Sequence, residues 1–122
     1  MEVKAKLNYL RIAPRKVRLV ADLIRGKNII EAQRQLQFCP KRAAKPLLKL
    51  LMSAIANAKH NFGISEEDLK KYYIKKLTVD EGPKLKRWRP VARGIAHEIQ
   101  KKTSHVTLII DQKEDKNKEK NE

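Results

Sequence analysis

The segment between residues 82 and 94 constrains the fold of this chain more than any other. Its sequence, GPKLKRWRPVARG, contains five basic residues, no acid, two prolines and two glycines, so it offers little to a hydrophobic core. Strand-like runs flank it, from Tyr72 to Val79 before it and from Ser104 to Ile110 after it. We therefore predict a long antiparallel hairpin whose base belongs to a sheet. Its end, turning near Trp88 and Arg89, projects beyond the domain.

The dimensions of this hairpin set it apart from the body. Each arm, from Tyr72 or Lys102 to the turn, has roughly 14 to 16 residues, which span about 45 to 50 Å when extended. A compact domain of the remaining ~90 residues has a radius of gyration of about 12 to 13 Å. The projecting part, about residues 80–97, would therefore reach well past the body. Because an isolated two-stranded ribbon is marginally stable in water, we expect an external partner to order it.

The rest of the chain predicts a small body with one further strand. Val3 to Tyr9 alternate apolar and polar residues, with Tyr9 on the apolar side. Three helices are predicted to follow, from Pro14 to a left-handed glycine cap at Gly26, from Asn28 to before Pro40, and from Lys41 to about Asn61. Pro46 requires the third helix either to begin just ahead of it or to have a distorted first turn.

These elements predict an α+β fold: three helices packed on a small antiparallel three-stranded sheet, with a long projecting β-hairpin. The polar residues 65–68 are predicted to form a loop. Residues 1–111 are expected to form a single RNA-binding domain that includes the hairpin. Residues 112–122 are expected to form a disordered charged tail, because they contain nothing apolar that could dock on the body.

The net charge predicts the partner. The chain has 29 Lys and Arg against 14 Asp and Glu, a net charge of +15. The last dozen residues, from Asp111 to Glu122, carry four lysines and five acids, so the surplus lies on the body and the hairpin. A compact state with this much charge repels itself, and binding to a polyanion offsets that repulsion. Nucleic acid is therefore the expected partner.

Several other classes of protein are not supported. Apolar stretches such as Leu50 to Ala56 are far shorter than the ~20 residues of a membrane span, and no signal segment opens the chain, so a cytoplasmic protein is expected. Cys39 is the single cysteine, which we predict to be a small buried residue at a helix end. The three histidines are too widely spaced for a zinc site, and no catalytic constellation is evident. We therefore predict no enzymatic activity, no metal and no cofactor.

Three groups of residues are candidate RNA contacts. The hairpin tip combines cations that pair with phosphates and a tryptophan that can stack on bases; it comprises Lys84, Leu85, Lys86, Arg87, Trp88, Arg89, Pro90, Val91, Ala92 and Arg93. The second group lies near predicted helix starts, where a solvated helix face is the alternative; it comprises Arg11, Arg15, Lys16, Arg18, Lys41, Arg42 and Lys45. In the third group, Thr103, Ser104 and His105 could hydrogen-bond phosphate or 2′-hydroxyl groups or could simply form a strand edge.

Four collinear blocks of sequence resemble the bacterial-type large-subunit ribosomal protein L twenty-two family. The blocks are APRKVR through DLIRG at 13–26, SAIANA at 53–58, VDEGP with the later KR and P at 79–90, and KTSHVT at 102–107. The resemblance covers about residues 3–110. No single block would be decisive, but four in the same order make a chance match improbable.

The resemblance implies a body on the outer surface of the large ribosomal subunit and a hairpin threaded through 23S rRNA to the wall of the peptide exit tunnel. Members of the family bind rRNA early in assembly, adjoin other large-subunit proteins and help form the constriction that nascent polypeptides and macrolides meet. Carried over to this chain, residues 84–93 are the tunnel-proximal tip, whereas Arg15, Lys16, Arg18 and the block at 103–105 hold rRNA around the body.

Two departures from the family pattern fall on the hairpin. Val91 and Ile95 stand where relatives commonly have basic residues, which bears on the number of phosphate contacts that the returning strand makes. The alternative to a ribosomal role is a basic RNA- or DNA-binding protein that acts outside the ribosome. Neither a membrane nor a second copy of the chain is an expected partner.

Overall fold

The computed structural model describes residues 2–90 and 96–112. Strand β1 (Val3–Leu10) is followed by helices α1 (Pro14–Ile24), α2 (Ile29–Phe38), α3 (Ala44–Asn61) and α4 (Glu66–Leu69). Strands β2 (Tyr72–Glu81), β3 (Leu85–Pro90), β4 (Ala96–Lys101) and β5 (Ser104–Gln112) complete the chain order. Among the helices of these residues, none combines the length and the apolar character needed to cross a membrane.

The body is built on an antiparallel sheet in the order β1, β5, β2, against which the helices pack. Val106, Leu108 and Ile110 of the central strand β5 are buried at every second position, as the period of a strand requires. They share one hydrophobic core with buried helix residues such as Val17 and Leu51. The predicted α+β architecture is confirmed.

Helices α1 and α2 are bounded by the residues that the sequence predicts. Pro14 is the first residue of α1, where its missing N–H costs nothing. The chain leaves this helix at Gly26, whose φ of +81° is a left-handed conformation that glycine adopts without strain. Asn28 caps α2, because its Oδ1 accepts a hydrogen bond from the backbone N–H of Ile30 at 2.9 Å.

Helix α3 begins at Ala44, so Pro46 lies in the first turn, where its N–H would have no partner within the helix. The first of the two predicted alternatives for Pro46 is therefore correct. Leu47 and Leu51 of α3 are buried in the core. Phe62, which follows the helix, is 45% exposed and lies outside the core.

Strand β2 is an edge of the sheet, and two arginines cover part of its outer side. Arg18 donates through Nε and Nη2 to the carbonyl oxygen of Val79, at 3.3 and 3.0 Å. Arg25 donates in the same way to the carbonyl oxygen of Leu77, at 3.2 and 2.9 Å, and forms an ion pair with Asp22. Arg18 lies on α1, and Arg25 directly follows its last residue, so the two arginines are about two helical turns apart.

The loop between α1 and α2 covers the next part of the same edge. The N–H of Gly26 donates to the carbonyl oxygen of Ile74 at 3.1 Å. In the other direction, the N–H of Ile74 donates to the carbonyl oxygen of Lys27 at 2.9 Å. An isolated bridge also pairs Asn28 with Tyr73. The outer side of β2 is therefore hydrogen-bonded at both ends of its buried stretch.

Two local predictions were wrong. Tyr9 is 65% exposed with a φ of +59°, rather than on the inner face, because the pairing of β1 with β5 shifts register between Leu7 and Leu10. Residues 65–68, predicted as a loop, contain the start of α4. Ser65 caps this helix by accepting the N–H of Asp68 at 3.3 Å, and the acids of its first turn are favourable at a helix N-terminus.

The hairpin extends further than predicted. Strands β3 and β4 form a separate two-stranded ribbon, which pairs from Leu85 with Lys101 to Pro90 with Ala96. Trp88 lies opposite Glu98 within this ribbon, so the chain does not turn at Trp88 and Arg89 as predicted. Strand β5 also continues to Gln112, one residue into the predicted tail, and residues 113–122 lie outside the described residues.

We expect the Asn28→Ala variant to lower the free energy of unfolding by about 1 to 2 kcal/mol. The variant removes the cap of α2 and also the bond from Nδ2 to the carbonyl oxygen of Lys70, at 2.7 Å. Urea denaturation measures the change. Asn28→Asp is the control, because it keeps the acceptor for Ile30 and should recover at least half of the loss. Equal stability of all three proteins would contradict this role.

Candidate nucleic-acid interface

A basic cleft opens where the starts of α1 and α3 meet the end of β4. Its volume is about 520 Å³. The charged residues that line it come from four places in the chain: Arg11, Lys16, Lys41, Arg42, Lys101 and Lys102. None of the described residues in its lining is acidic. Six cations facing one concave surface give a strong positive potential, which selects for a polyanion.

The backbone adds to this potential. Ala13 and Ala43, the residues that precede α1 and α3, both line the cleft. Neither provides a side-chain cap, and neither helix has an acid in its first turn. The first N–H groups of a helix carry partial positive charge and favour phosphate. Both helices therefore point their positive ends toward the surface where the cations converge.

The cleft brings together four residues of the second predicted group of RNA contacts and leaves its other three members out. Arg11 and Lys16 meet Lys41 and Arg42 there, although about 25 residues separate the pairs in sequence. Arg15 and Lys45 are exposed on the first turns of α1 and α3 but do not line the cleft. Arg18 is turned to the other side, where its guanidinium holds the edge of β2.

Lys101 and Lys102 were not among the predicted RNA contacts. Both are exposed, and both line the cleft where the returning strand of the hairpin rejoins the body. Sequence clustering could not link them to Lys41 and Arg42, which lie about 60 residues earlier. The signal in the sequence was their position directly before the 103–105 block. The predicted hairpin returns to the body at this block, so residues beside it lie near the base of the hairpin.

The hairpin presents a second basic surface. Lys84 and Lys86 are exposed near the base of β3, and Leu85 between them is half-buried. Trp88 is 66% exposed, which leaves most of its ring available for stacking. Arg87, Arg89 and Pro90 belong to β3 by their backbone. Three predicted tip residues, Val91, Ala92 and Arg93, lie outside the described residues.

The third predicted group holds the base of the hairpin to the body. Ser104 is fully buried, and its Oγ donates to the carbonyl oxygen of Ile12 at 2.6 Å. Thr103 is 2% exposed, and its Oγ1 donates to the carbonyl oxygen of Pro83 at 2.5 Å. These hydroxyl groups are committed to the fold, so they position the hairpin rather than face a ligand.

His105 has a similar internal partner. Its Nδ1 accepts the backbone N–H of Tyr9 at 3.1 Å, and the two rings meet edge to face with centroids 4.9 Å apart. Gly82 completes the cluster, because its N–H donates to the carbonyl oxygen of Thr103 at 2.9 Å. A Cβ at this position would lie 2.5 Å from Oγ1 of Thr103 and 3.1 Å from Nε2 of His105. A glycine is therefore required where the two arms enter the body.

Comparison with known proteins identifies the family of this chain. The family model described as Ribosomal protein L22p/L17e matches residues 5–111. The large ribosomal subunit protein uL22 of Mesoplasma florum is 56% identical over 110 residues, which cover 90% of this chain and 96% of the relative. The uL22 protein of Desulfitobacterium hafniense strain Y51 is 50% identical over 114 residues, covering 93% and 97%. On this match of nearly the whole chain, the protein belongs to the Ribosomal protein L22p/L17e family.

Proposed function

We propose that this chain is a non-enzymatic structural component of the large ribosomal subunit in the cytoplasm, which binds 23S rRNA through the basic cleft and the hairpin. The relatives named above are large-subunit proteins, and they match this chain over nearly its whole length. The observation that carries RNA binding is the cleft, where six cations from four segments converge on one surface without an acid among the described lining residues. Its lysines and arginines provide the contacts to phosphate.

The hairpin acts as a finger that enters folded RNA. Its ribbon of two strands has marginal stability alone, and β3 and β4 pack mainly on each other. Contacts of Lys84 and Lys86 with phosphates, and stacking of Trp88 on a base, offset the cost of ordering it. In this proposal the finger reaches the peptide exit tunnel, its tip faces the nascent polypeptide, and the body adjoins neighbouring large-subunit proteins and supports assembly.

The proposal is tested by replacing Trp88 with a photoreactive amino acid in a tagged chain expressed in a bacterial host. We expect the protein to sediment with the large subunit on a sucrose gradient and the residue to form adducts with 23S rRNA. Phe38 is the matched control, because it is aromatic and 84% exposed, ends α2 and is not among the residues that line the cleft. Its replacement should give no adduct at the same nucleotides.

Two outcomes would contradict the proposal. Protein that stays at the top of the gradient has no ribosomal role. Adducts spread equally over 16S rRNA, transfer RNA and 23S rRNA would instead favour a general nucleic-acid-binding protein, whose affinity depends on charge alone.

A further inference from the structure

A buried hydrogen bond connects the basic cleft with the base of the hairpin. The lining of the cleft includes residues 11–13, which lead into α1, and Lys101 and Lys102, where the returning arm of the hairpin ends. Ser104 follows two residues later and is fully buried, and its Oγ donates to the carbonyl oxygen of Ile12 at 2.6 Å. The two partners are 92 positions apart in the chain. The bond therefore ties together two parts of the cleft that the sequence separates.

The backbone of Ile12 is fixed on both of its sides. Its N–H donates to the carbonyl oxygen of Leu10 at 2.8 Å, and its carbonyl oxygen accepts the bond from Ser104. The carbonyl oxygen of the next residue, Ala13, accepts the N–H of Lys16 at 3.0 Å in the first turn of α1. A movement of Ile12 therefore moves the start of α1, and with it a cation of the cleft.

The next residue of β5 holds the same segment at a second point. The Nδ1 atom of His105 accepts the backbone N–H of Tyr9 at 3.1 Å. Neighbouring side chains of a strand point to opposite faces, so Ser104 reaches Ile12 in the interior, whereas His105 reaches Tyr9 at the surface. One bond alone would let the segment pivot against the strand. Two bonds from opposite faces fix its orientation, and so fix the position of Arg11 at the cleft.

The block at 103–105 also holds the hairpin. The N–H of Gly82 donates to the carbonyl oxygen of Thr103 at 2.9 Å, and the Oγ1 atom of Thr103 donates to the carbonyl oxygen of Pro83. Because β3 and β4 pack mainly on each other, the direction in which they leave the body is set at this block. The cleft and the hairpin therefore depend on one short segment that they have in common.

We propose that Ser104 is a positioning residue that couples occupation of the cleft to the direction of the hairpin. This inference rests on the proposed function, because it takes RNA as the ligand of both surfaces. Like charges across the cleft repel one another, whereas a bound phosphate removes the repulsion and stabilises the arrangement in which Ser104 bonds Ile12. With that bond closed, the hairpin leaves the body in one direction. Since such coupling is reciprocal, RNA on the hairpin strengthens binding at the cleft by the same factor.

A double-mutant cycle on RNA affinity measures the coupling. Lys41→Gln with Arg42→Gln weakens the cleft, Trp88→Ala weakens the hairpin, and filter binding gives the affinity of each variant and of their combination for a 23S rRNA fragment. In the chain with Ser104, we expect the combined loss of affinity to be about fivefold smaller than the product of the separate losses, because each change also removes the benefit of the other surface. In the Ser104→Ala background, the combined loss should equal that product within about twofold.

Two further backgrounds separate coupling from stability. Ser65→Ala removes a hydroxyl that caps α4 and does not line the cleft, so it should leave the coupling unchanged. An ester in place of the peptide bond between Ile12 and Ala13 keeps Ser104 but weakens the carbonyl oxygen of Ile12 as an acceptor. We expect the ester to reduce the coupling as Ser104→Ala does. Urea denaturation checks that each variant is folded.

The cycle distinguishes failure of this inference from failure of the proposed function. The inference is overturned if the cleft and hairpin changes multiply in the unaltered chain, or if Ser104→Ala and the ester both keep the full coupling. It is also overturned if Ser65→Ala loses the coupling to the same extent, since the loss would then follow from lower stability alone. In each of these cases the proposed function stands. Failure of the unaltered protein to bind the fragment would overturn both together.

Discussion

Substitution of Lys41, Arg42, Lys101 and Lys102 by glutamine should weaken binding to a 23S rRNA fragment by on the order of a hundredfold at 0.15 M salt. These four residues contribute most of the charge in the cleft, from two segments that only the fold brings together. Glutamine keeps much of the side-chain length but removes the charge. Binding of the variant therefore releases fewer counterions from the RNA, and its affinity depends less on the salt concentration. The slope of log affinity against log salt should fall by about four. Filter binding over a range of salt concentrations measures both quantities.

The two halves of this variant provide its internal control. The pair at 41 and 42 and the pair at 101 and 102 should each weaken binding by about tenfold. Their combined effect should differ from the sum if they hold the same phosphates, since neighbouring sites couple. An unchanged salt slope in the fourfold variant would contradict the assignment of these side chains to phosphates, whatever the change in affinity.

The Gly82→Val variant should fold but lose incorporation into the large subunit. The new Cβ would lie 2.5 Å from Oγ1 of Thr103, which itself is held to Pro83, so the base of the hairpin must move. Overpacking of this kind costs about 1 to 3 kcal/mol of the free energy of unfolding. The larger effect is geometric, because a small rotation at the base displaces the far end of a long ribbon by many ångströms. Sucrose-gradient sedimentation measures incorporation, and urea denaturation measures stability.

The chain offers its own probe of hairpin direction. It contains one tryptophan, Trp88, and one cysteine, Cys39, which is half-exposed at the end of α2 rather than buried as predicted. Energy transfer from Trp88 to an acceptor on Cys39 therefore reports the distance between hairpin and body. In the RNA complex, Gly82→Val should change this transfer.

Thr103→Ala added to Gly82→Ala removes the close contact and should restore part of the incorporation that Gly82→Ala loses. Normal incorporation of Gly82→Val would show that the close packing at Gly82 does not direct the hairpin.

Much of the fold was predictable because local rules and global packing agree. Pro14, Gly26 and Asn28 bound α1 and α2 through backbone conformation and capping, both of which sequence reveals directly. Tyr9 was not predictable, because its position depends on a register shift against β5, nearly 100 residues later. The short α4 was hidden by its polar composition, although Ser65 and Asp68 carry the spacing of an N-terminal cap.

The sequence predicted several cations of the candidate site but not their convergence on one cleft. Charge clustering found Arg11 and Lys16 as well as Lys41 and Arg42, but it could not show that they face one cleft. The cleft also takes in Lys101 and Lys102, which are adjacent to the other four only in three dimensions. Conversely, Arg18 carries the same charge as its neighbours but bonds a strand edge. Sequence identifies a cation, whereas the fold decides whether it serves a ligand or the protein itself.

The hydrogen bonds along the outer side of β2 have a consequence for the protein before it reaches its partner. A strand with unpaired backbone groups is a template on which a second copy can add a strand, and this is a common route to aggregation. Here Arg18, Arg25 and the loop at Gly26 occupy carbonyl groups along that edge. A newly made chain with a net charge of +15 therefore has this edge of its sheet already closed to self-association.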